Sequence, residues 1–112
     1  MTLFERIATG EIPANIVRQD DDILAIHDIN PQAPVHILII PRRVIPRLDL
    51  AEKTDAAILG KLLLTAREIA AEKELDKTGY RIVINNGPDA GESVPHLHVH
   101  LLGGRPMDWP PG

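Results

Sequence analysis

The alternation of hydrophobic and polar positions divides the chain into short strands and two helices. Apolar residues recur at helical spacing within residues 54–75 and form one stripe. Residues 35–40 are apolar except for His36, which is typical of a strand covered on both faces. Segments rich in Asp, Asn, Gly and Pro separate these runs. The pattern predicts helices at residues 4–9 and 54–75, and strands at residues 16–19, 23–28, 35–40, 80–85 and 94–102.

These elements predict a single α+β domain over residues 1–112, with a proline-rich tail at residues 105–112. The sheet has five strands, mainly antiparallel, because most connections between neighbouring strands are short. Thr2 is the predicted N-cap of the short helix, with Glu5 three residues later. The stripe of the long helix, which should cover one face of the sheet, consists of Ile58, Leu59, Leu62, Leu63, Ala66, Ile69 and Ala70.

Composition excludes several classes of protein. Hydrophobic residues make up 44% and charged residues 25%, as in soluble globular domains. A net charge of −4 argues against nucleic-acid binding, and no apolar run approaches the roughly 20 residues that cross a bilayer. The absence of cysteine removes disulfide and thiolate chemistry, and the first residues lack the apolar core of a signal peptide. We therefore expect a cytoplasmic protein that binds neither membranes nor nucleic acid.

Three of the five histidines fall at alternate positions, as His96, His98 and His100. In a strand, side chains at alternate positions share a face, so the three imidazoles should point one way. The intervening apolar residues should face the core. Each imidazole can act at neutral pH as nucleophile, acid, base or metal ligand.

Three interpretations fit these histidines. They could be surface residues on a solvated strand, or ligands of a metal site that His36 and nearby carboxylates join. The third interpretation is covalent catalysis on phosphorus by an imidazole nitrogen. We favour the third, because the preceding loop offers groups that contact a phosphate: the amide of Asn85, backbone at Gly87 and Gly91, and the hydroxyl of Ser93.

The sequence His-Leu-His-Val-His-Leu-Leu at residues 96–102 resembles the histidine-triad motif, His-φ-His-φ-His-φ-φ, where φ is apolar. The similarity runs nearly end to end. The sequences GEIPA at residues 10–14, PQAP at 31–34 and WPPG at 109–112 resemble the Hint branch of that superfamily.

This resemblance implies a hydrolase, a purine nucleoside phosphoramidase. Such enzymes cleave the P–N bond of adenosine 5′-monophosphoramidate and related compounds through a nucleotidyl-histidine intermediate. A histidine at the third triad position favours hydrolysis, since the nucleotidyltransferase branch typically has glutamine there. The resemblance further implies a purine nucleotide of the AMP or GMP type as ligand, and a homodimer whose sheets join across the interface. It requires no cofactor and assigns no metal ligand; zinc is an alternative that we do not favour.

The resemblance also implies the site residues. His98 matches the nucleophile, and His96 matches the residue whose carbonyl fixes the tautomer of His98. His100 and His36 complete the phosphate site, and Ser93 lies near the leaving amine. Asp28 takes the ribose hydroxyls. The implied nucleotide-binding residues are Phe4, Ile7, Ile12, His27, Asp28, Ile29, Asn85, Gly91, Glu92, Ser93, His98 and His100.

Two residues depart from the Hint pattern. Glu92 and Asp108 stand where glutamine and histidine are common, and both should add negative charge near the site. We expect Trp109 in the tail to dock against the dimer, near the opposite active site, and to influence leaving-group choice. The alternative functions are a dinucleoside polyphosphate hydrolase of the same superfamily, and a non-catalytic regulatory module that binds purine nucleotide or zinc.

Overall fold

Antiparallel pairing joins five strands into one open sheet. The computed structural model describes all 112 residues. The strands lie in the order β1-β2-β3-β5-β4, and each neighbouring pair is antiparallel. This confirms the predicted α+β fold. The strand bounds are Ile16–Gln19 for β1, Ile23–His27 for β2, Val35–Pro41 for β3, Tyr80–Val83 for β4 and Val99–Gly103 for β5.

Two α-helices accompany the sheet: α1 over Leu3–Ala8 and α2 over Ala56–Glu72. Thr2 caps α1 as predicted, because its hydroxyl accepts a hydrogen bond from Glu5 N and the Glu5 carboxylate accepts one from Thr2 N. Helix α2 is shorter than predicted. It ends at Glu72, because Glu74, two residues later, has a left-handed backbone (φ 60°) that cannot continue the helix. Short 3-10 turns flank α2 at Lys53–Asp55 and Leu75–Lys77. No helix has the length and apolar character needed to span a membrane.

The two faces of the sheet carry separate apolar clusters. Helix α2 packs on one face, and α1 covers part of the other. Leu62, Ala66 and Ile69 face the α2-side core as predicted, whereas the prediction for Leu63 is wrong: its side chain is 45% exposed. Leu63 lies 100° around the helix from Leu62, beyond the edge of the stripe that meets the sheet.

Strand β5 begins five residues later than predicted. Residues 94–98 bend before it, so only His100 of the three histidines lies within the strand. Pro95 has no N–H to donate to a sheet, and Leu97 N donates instead to Ile45 O at 2.7 Å. Alternation nevertheless persists through the bend, because Leu97, Val99 and Leu101 all join the α2-side core. Strand β4 likewise ends at Val83 rather than at residue 85.

Candidate active site

The histidines gather on the α1 side of the sheet, around the pairing of β3 with β5. Leu38 on β3 stands opposite His100 on β5, which sets His36 diagonally across from His100. The ring of His98 lies between those of Phe4 and His100, with centroid separations of 4.9 Å to each. The helix α1 therefore forms one wall beside the histidine rings.

His98 has a defined tautomer. Its Nδ1–H donates to the carbonyl oxygen of His96 at 2.8 Å, which places the lone pair of the neutral ring on Nε2. A nucleophilic imidazole needs such a lone pair and an acceptor that holds its other nitrogen. The geometry at His98 therefore meets the chemical requirement for attack on an electrophile.

His96 is buried and supports this arrangement through both ring nitrogens. Its Nε2–H donates to Pro41 O at 2.7 Å, so Nδ1 accepts from the hydroxyl of Thr2 at 2.7 Å. The same hydroxyl accepts from Glu5 N at 3.1 Å. Burial lowers the pKa of His96, and the ring is neutral at pH 7. The cap of α1 is thereby hydrogen-bonded to the residue whose carbonyl orients His98.

His36 and His100 form a second ordered chain of hydrogen bonds. The backbone N–H of Gln32 donates to His36 Nδ1 at 3.1 Å, so the proton of neutral His36 sits on Nε2. That N–H donates to His100 Nδ1 at 2.9 Å, which leaves the proton of His100 on Nε2. Burial lowers the pKa of both rings, and for His100 burial together with His98 and His36 lowers the pKa to about 4. Both rings are therefore neutral at pH 7.

Asp28 follows β2 and lies beside this pair. Its Oδ2 is 3.5 Å from His36 Nε2, and its Oδ1 accepts from Asn30 N at 2.8 Å. The carboxylate partly offsets the effect of burial on the pKa values of His36 and His100. It contributes negative charge beside the histidine pair, at the polar end of a mainly apolar cavity.

That cavity has a volume of about 240 Å³. It brings together most of the predicted site residues: Phe4, Ile7, Ile12, His27, Asp28, Ile29, Ser93, His98 and His100. His36 and His96 contact these residues without lining the cavity. Ile29 is 97% exposed and stands at the rim.

Sequence reasoning missed six residues of the lining: Leu3, Pro13, Ala14, Ile26, Leu38 and Val94. Two of them carry a signal in the sequence. Leu38 is two positions from His36, and Val94 is two positions from His96, so alternation assigns both to the histidine face.

Three predicted residues, Asn85, Gly91 and Glu92, do not line the cavity. The Glu92 carboxylate accepts from Arg47 Nη2 at 2.5 Å, so its charge is compensated rather than presented to the site. Asp108 also lies away from the cavity, and its carbonyl accepts from Arg81 at 2.8 Å. Within one chain, the charge of Glu92 is therefore paired with that of Arg47, and Asp108 does not line the cavity.

Comparison with known proteins identifies the family to which this fold belongs. The family model described as the HIT domain matches residues 9–107, which include all three clustered histidines. The chain belongs to the HIT family. A crystal structure of a HIT family hydrolase from Legionella pneumophila matches with a TM-score of 0.98 and 46% identity, covering 100% of both chains. The HIT assignment confirms the resemblance at the level of the superfamily and supports hydrolase activity.

Two further HIT relatives have informative names. The histidine triad nucleotide-binding protein of Candida albicans matches with a TM-score of 0.83 and 28% identity, covering 98% of this chain and 83% of that one. A "14 kDa zinc-binding protein" of Brassica juncea is 52% identical over 113 residues, covering 99% of each chain. The second name raises the question of whether the residues of this site could bind zinc.

Asp28, His36 and His100 are the residues that could hold zinc, since their donor atoms lie within 4.8 Å of one another. The residue types fit zinc, but the donor and acceptor directions of the hydrogen bonds at His36 do not. A metal-bound histidine donates its second N–H outward, whereas His36 Nδ1 accepts from Gln32 N and its Nε2–H is directed at His100. Zinc at His36 Nε2 would require that tautomer to reverse. The observed arrangement favours a hydrogen-bonded histidine pair over a metal centre.

Proposed function

We propose that this HIT protein hydrolyses the P–N bond of purine nucleoside phosphoramidates, with His98 as the nucleophile. The observation that carries the proposal is the tautomer of His98, in which the 2.8 Å bond from Nδ1–H to His96 O places the lone pair of the neutral ring on Nε2, beside a mainly apolar cavity. The nearest alternative, attack by His100, is less favourable because its Nδ1 lone pair is already engaged by His36.

The reaction proceeds in two displacements. His98 Nε2 attacks phosphorus, a bond from His98 to phosphorus forms, and the bond to the leaving amine breaks as that nitrogen takes a proton. The Ser93 hydroxyl, exposed at the cavity wall, relays this proton from solvent. Water then attacks phosphorus and loses a proton to solvent, and the bond to His98 breaks. The products are the free amine and a nucleoside 5′-monophosphate.

The neutral His36–His100 pair supplies a donor for the phosphoryl group. Because His36 Nε2–H donates to His100 Nδ1, the N–H of His100 Nε2 is available to a phosphoryl oxygen. Hydrogen bonds to a developing negative charge stabilise the transition state more than the ground state. Through this chain, His36 acts by holding the tautomer of His100.

The apolar part of the cavity suits a purine base. Phe4, Ile7 and Ile12 line one side and Ile26 and Leu38 another, and planar bases favour such slots. Asp28 at the polar end is a suitable acceptor for ribose hydroxyls. The name of the Candida albicans relative, which includes nucleotide binding, supports a nucleotide at this position.

Rapid quench with adenosine 5′-monophosphoramidate, followed by peptide mass analysis, tests the nucleophile. We expect a nucleotidyl adduct on His98, and a loss of turnover of about a thousandfold or more in His98→Gln. His27→Gln is the matched control, since it removes another histidine from the same cavity and should keep the adduct. Turnover by His98→Gln at the wild-type rate would contradict the mechanism.

The alternative functions are separated by two measurements. Faster cleavage of a dinucleoside polyphosphate than of a phosphoramidate would favour the P–O–P hydrolase. Tight nucleotide binding without turnover would favour the regulatory module. We expect turnover to survive treatment with a chelator, because the proposed steps use imidazole nitrogens and the hydrogen-bond order at His36 opposes a metal.

We further propose that the protein is a homodimer. Strand β4 lies at the edge of the sheet and can pair with a second copy, while Leu63 and Leu64 in the middle of α2 are exposed. Light scattering should give twice the monomer mass of 12.3 kDa. A Leu63→Arg variant should shift the protein towards monomer, and a monomeric wild type at micromolar concentration would contradict the proposal.

A further inference from the structure

The end of β3 and the segment after it contact the loop that precedes β5. The ring of His96 donates to Pro41 O at 2.7 Å, and Asp49 N donates to the Asn86 side chain at 2.8 Å. Between these two points, Arg47 Nη2 donates to the Glu92 carboxylate at 2.5 Å. The Arg47–Glu92 contact is the one in this series that joins two charged side chains.

This ion pair is largely withdrawn from water on the Glu92 side. The Glu92 side chain is 9% exposed, compared with 37% for Arg47. A carboxylate in such a position requires a compensating charge or hydrogen bond, and Arg47 provides both. Exposed ion pairs contribute little to structure, whereas one with a buried partner restricts where that partner can lie.

Among the hydrogen bonds of residues 87–95, the one from Arg47 to Glu92 connects the loop to the rest of the chain. Its internal hydrogen bonds, from Ala90 N and Glu92 N to Gly87 O, define a compact turn with left-handed backbone at Gly87 and Gly91. Those bonds set the shape of the turn, but they do not connect it to the sheet. Glu92 is followed directly by Ser93, which lines the cavity.

We propose that Arg47 and Glu92 are positioning residues, which together hold Ser93 at the reacting end of the cavity. The proposal rests on the proposed phosphoramidate hydrolysis. Neither residue lines the cavity, so the pair acts through the backbone of the loop. Loss of the pair lets Ser93 move relative to His98, which slows departure of the amine. Nucleotide binding is retained, because the base and ribose positions lie on α1 and around the end of β2.

Charge reversal and exchange test the pair. We expect Arg47→Glu and Glu92→Arg each to lower kcat for adenosine 5′-monophosphoramidate by about ten- to a hundredfold, as small misplacements of reacting groups do. KM, and Kd for AMP measured by calorimetry, should stay within about twofold of wild type. The double variant Arg47→Glu/Glu92→Arg should recover most of the lost kcat, because the pair re-forms with opposite polarity. Glu92→Gln, which keeps an acceptor for Arg47, should lose less kcat than Glu92→Arg.

Arg18→Glu is the matched control. Arg18 on β1 pairs with Glu68 and Glu72 on α2, so its reversal changes a surface ion pair outside the loop and the cavity. This variant should keep the wild-type kcat. Single variants that retain wild-type kcat, or losses that are equal in the single and double variants, would overturn the positioning role while leaving the hydrolysis intact. A wild-type protein with no phosphoramidate turnover would overturn the proposed function, and the positioning role with it.

Discussion

The half-buried His100 ring makes the stability of the fold depend on pH. Histidine in an unfolded chain titrates near pH 6.5, whereas burial together with His98 and His36 lowers the pKa of His100 to about 4. Between these values the unfolded chain binds a proton that the folded protein does not. The unfolding free energy therefore decreases as pH falls from about 6.5 to about 4, and this contribution is fully present above that range.

The size of the effect follows from the two pKa values of His100. From about pH 7.5 to about pH 4.5, the full difference corresponds to about 2.5 kcal/mol of unfolding free energy, which solvent screening at this half-buried ring reduces to about 1–2 kcal/mol. His36 and His96, whose pKa values are also lowered by burial, act in the same direction. Because small domains have total stabilities of about 5–15 kcal/mol, the loss is readily measured by urea denaturation.

His100→Asn isolates the contribution of this ring, since the amide oxygen can still accept from His36 Nε2–H. Urea denaturation at the two pH values, at one protein concentration, should show a loss smaller than in wild type by about 1–2 kcal/mol. His27→Asn, which removes a histidine outside the His36–His100 pair, should retain the wild-type loss. Equal losses in His100→Asn and wild type would refute the assignment of the depressed pKa to His100.

Two other substitutions and one deletion test separate features. Thr2→Val removes both the α1 cap and the partner of His96 Nδ1, and should cost about 1–3 kcal/mol in urea denaturation, whereas Thr2→Ser should remain close to wild type. Gly103→Ala would bring a Cβ to 2.7 Å from Cδ1 of the buried Leu75, and we expect thermal denaturation to report a destabilisation of about 1–3 kcal/mol. Deletion of residues 105–112 removes the two hydrogen bonds from Arg105 to Gln32 O, together with Trp109, which is 82% exposed in the single chain. We expect the deletion to change the relative kcat/KM values for substrates with different leaving amines. An unchanged preference would contradict a role for the tail.

The local features of the fold were predictable from the sequence. The apolar run of β3 and the capping box at Thr2 each depend on residues within a few positions, and both are confirmed. Alternation also predicted that the clustered histidines lie on the face opposite Leu97, Val99 and Leu101, and it holds even through the bend before β5. The ends of helices and strands were less predictable. The end of α2 depends on the left-handed backbone of Glu74, and the start of β5 depends on the bend at Pro95, which has no N–H for the sheet.

The non-local contacts of the site could not be predicted from spacing. His36 and His100 are 64 positions apart, and their hydrogen bond depends on the register between β3 and β5. Arg47 and Glu92 are 45 positions apart, and nothing near either residue indicates the other. The tautomers depend on backbone groups of Gln32, Pro41 and His96, which carry no signal in residue type.

The backbone amide of Gln32 has a consequence for how the chain can vary. The loop holds His36 through a group that every residue except proline possesses, while the Gln32 side chain only donates to Asn30 O within the loop. The side chain at position 32 can therefore change without altering which ring nitrogens of His36 and His100 carry the protons. Proline, which already stands at positions 31 and 34, is the single replacement that would remove the N–H donor and allow His36 to adopt its other tautomer.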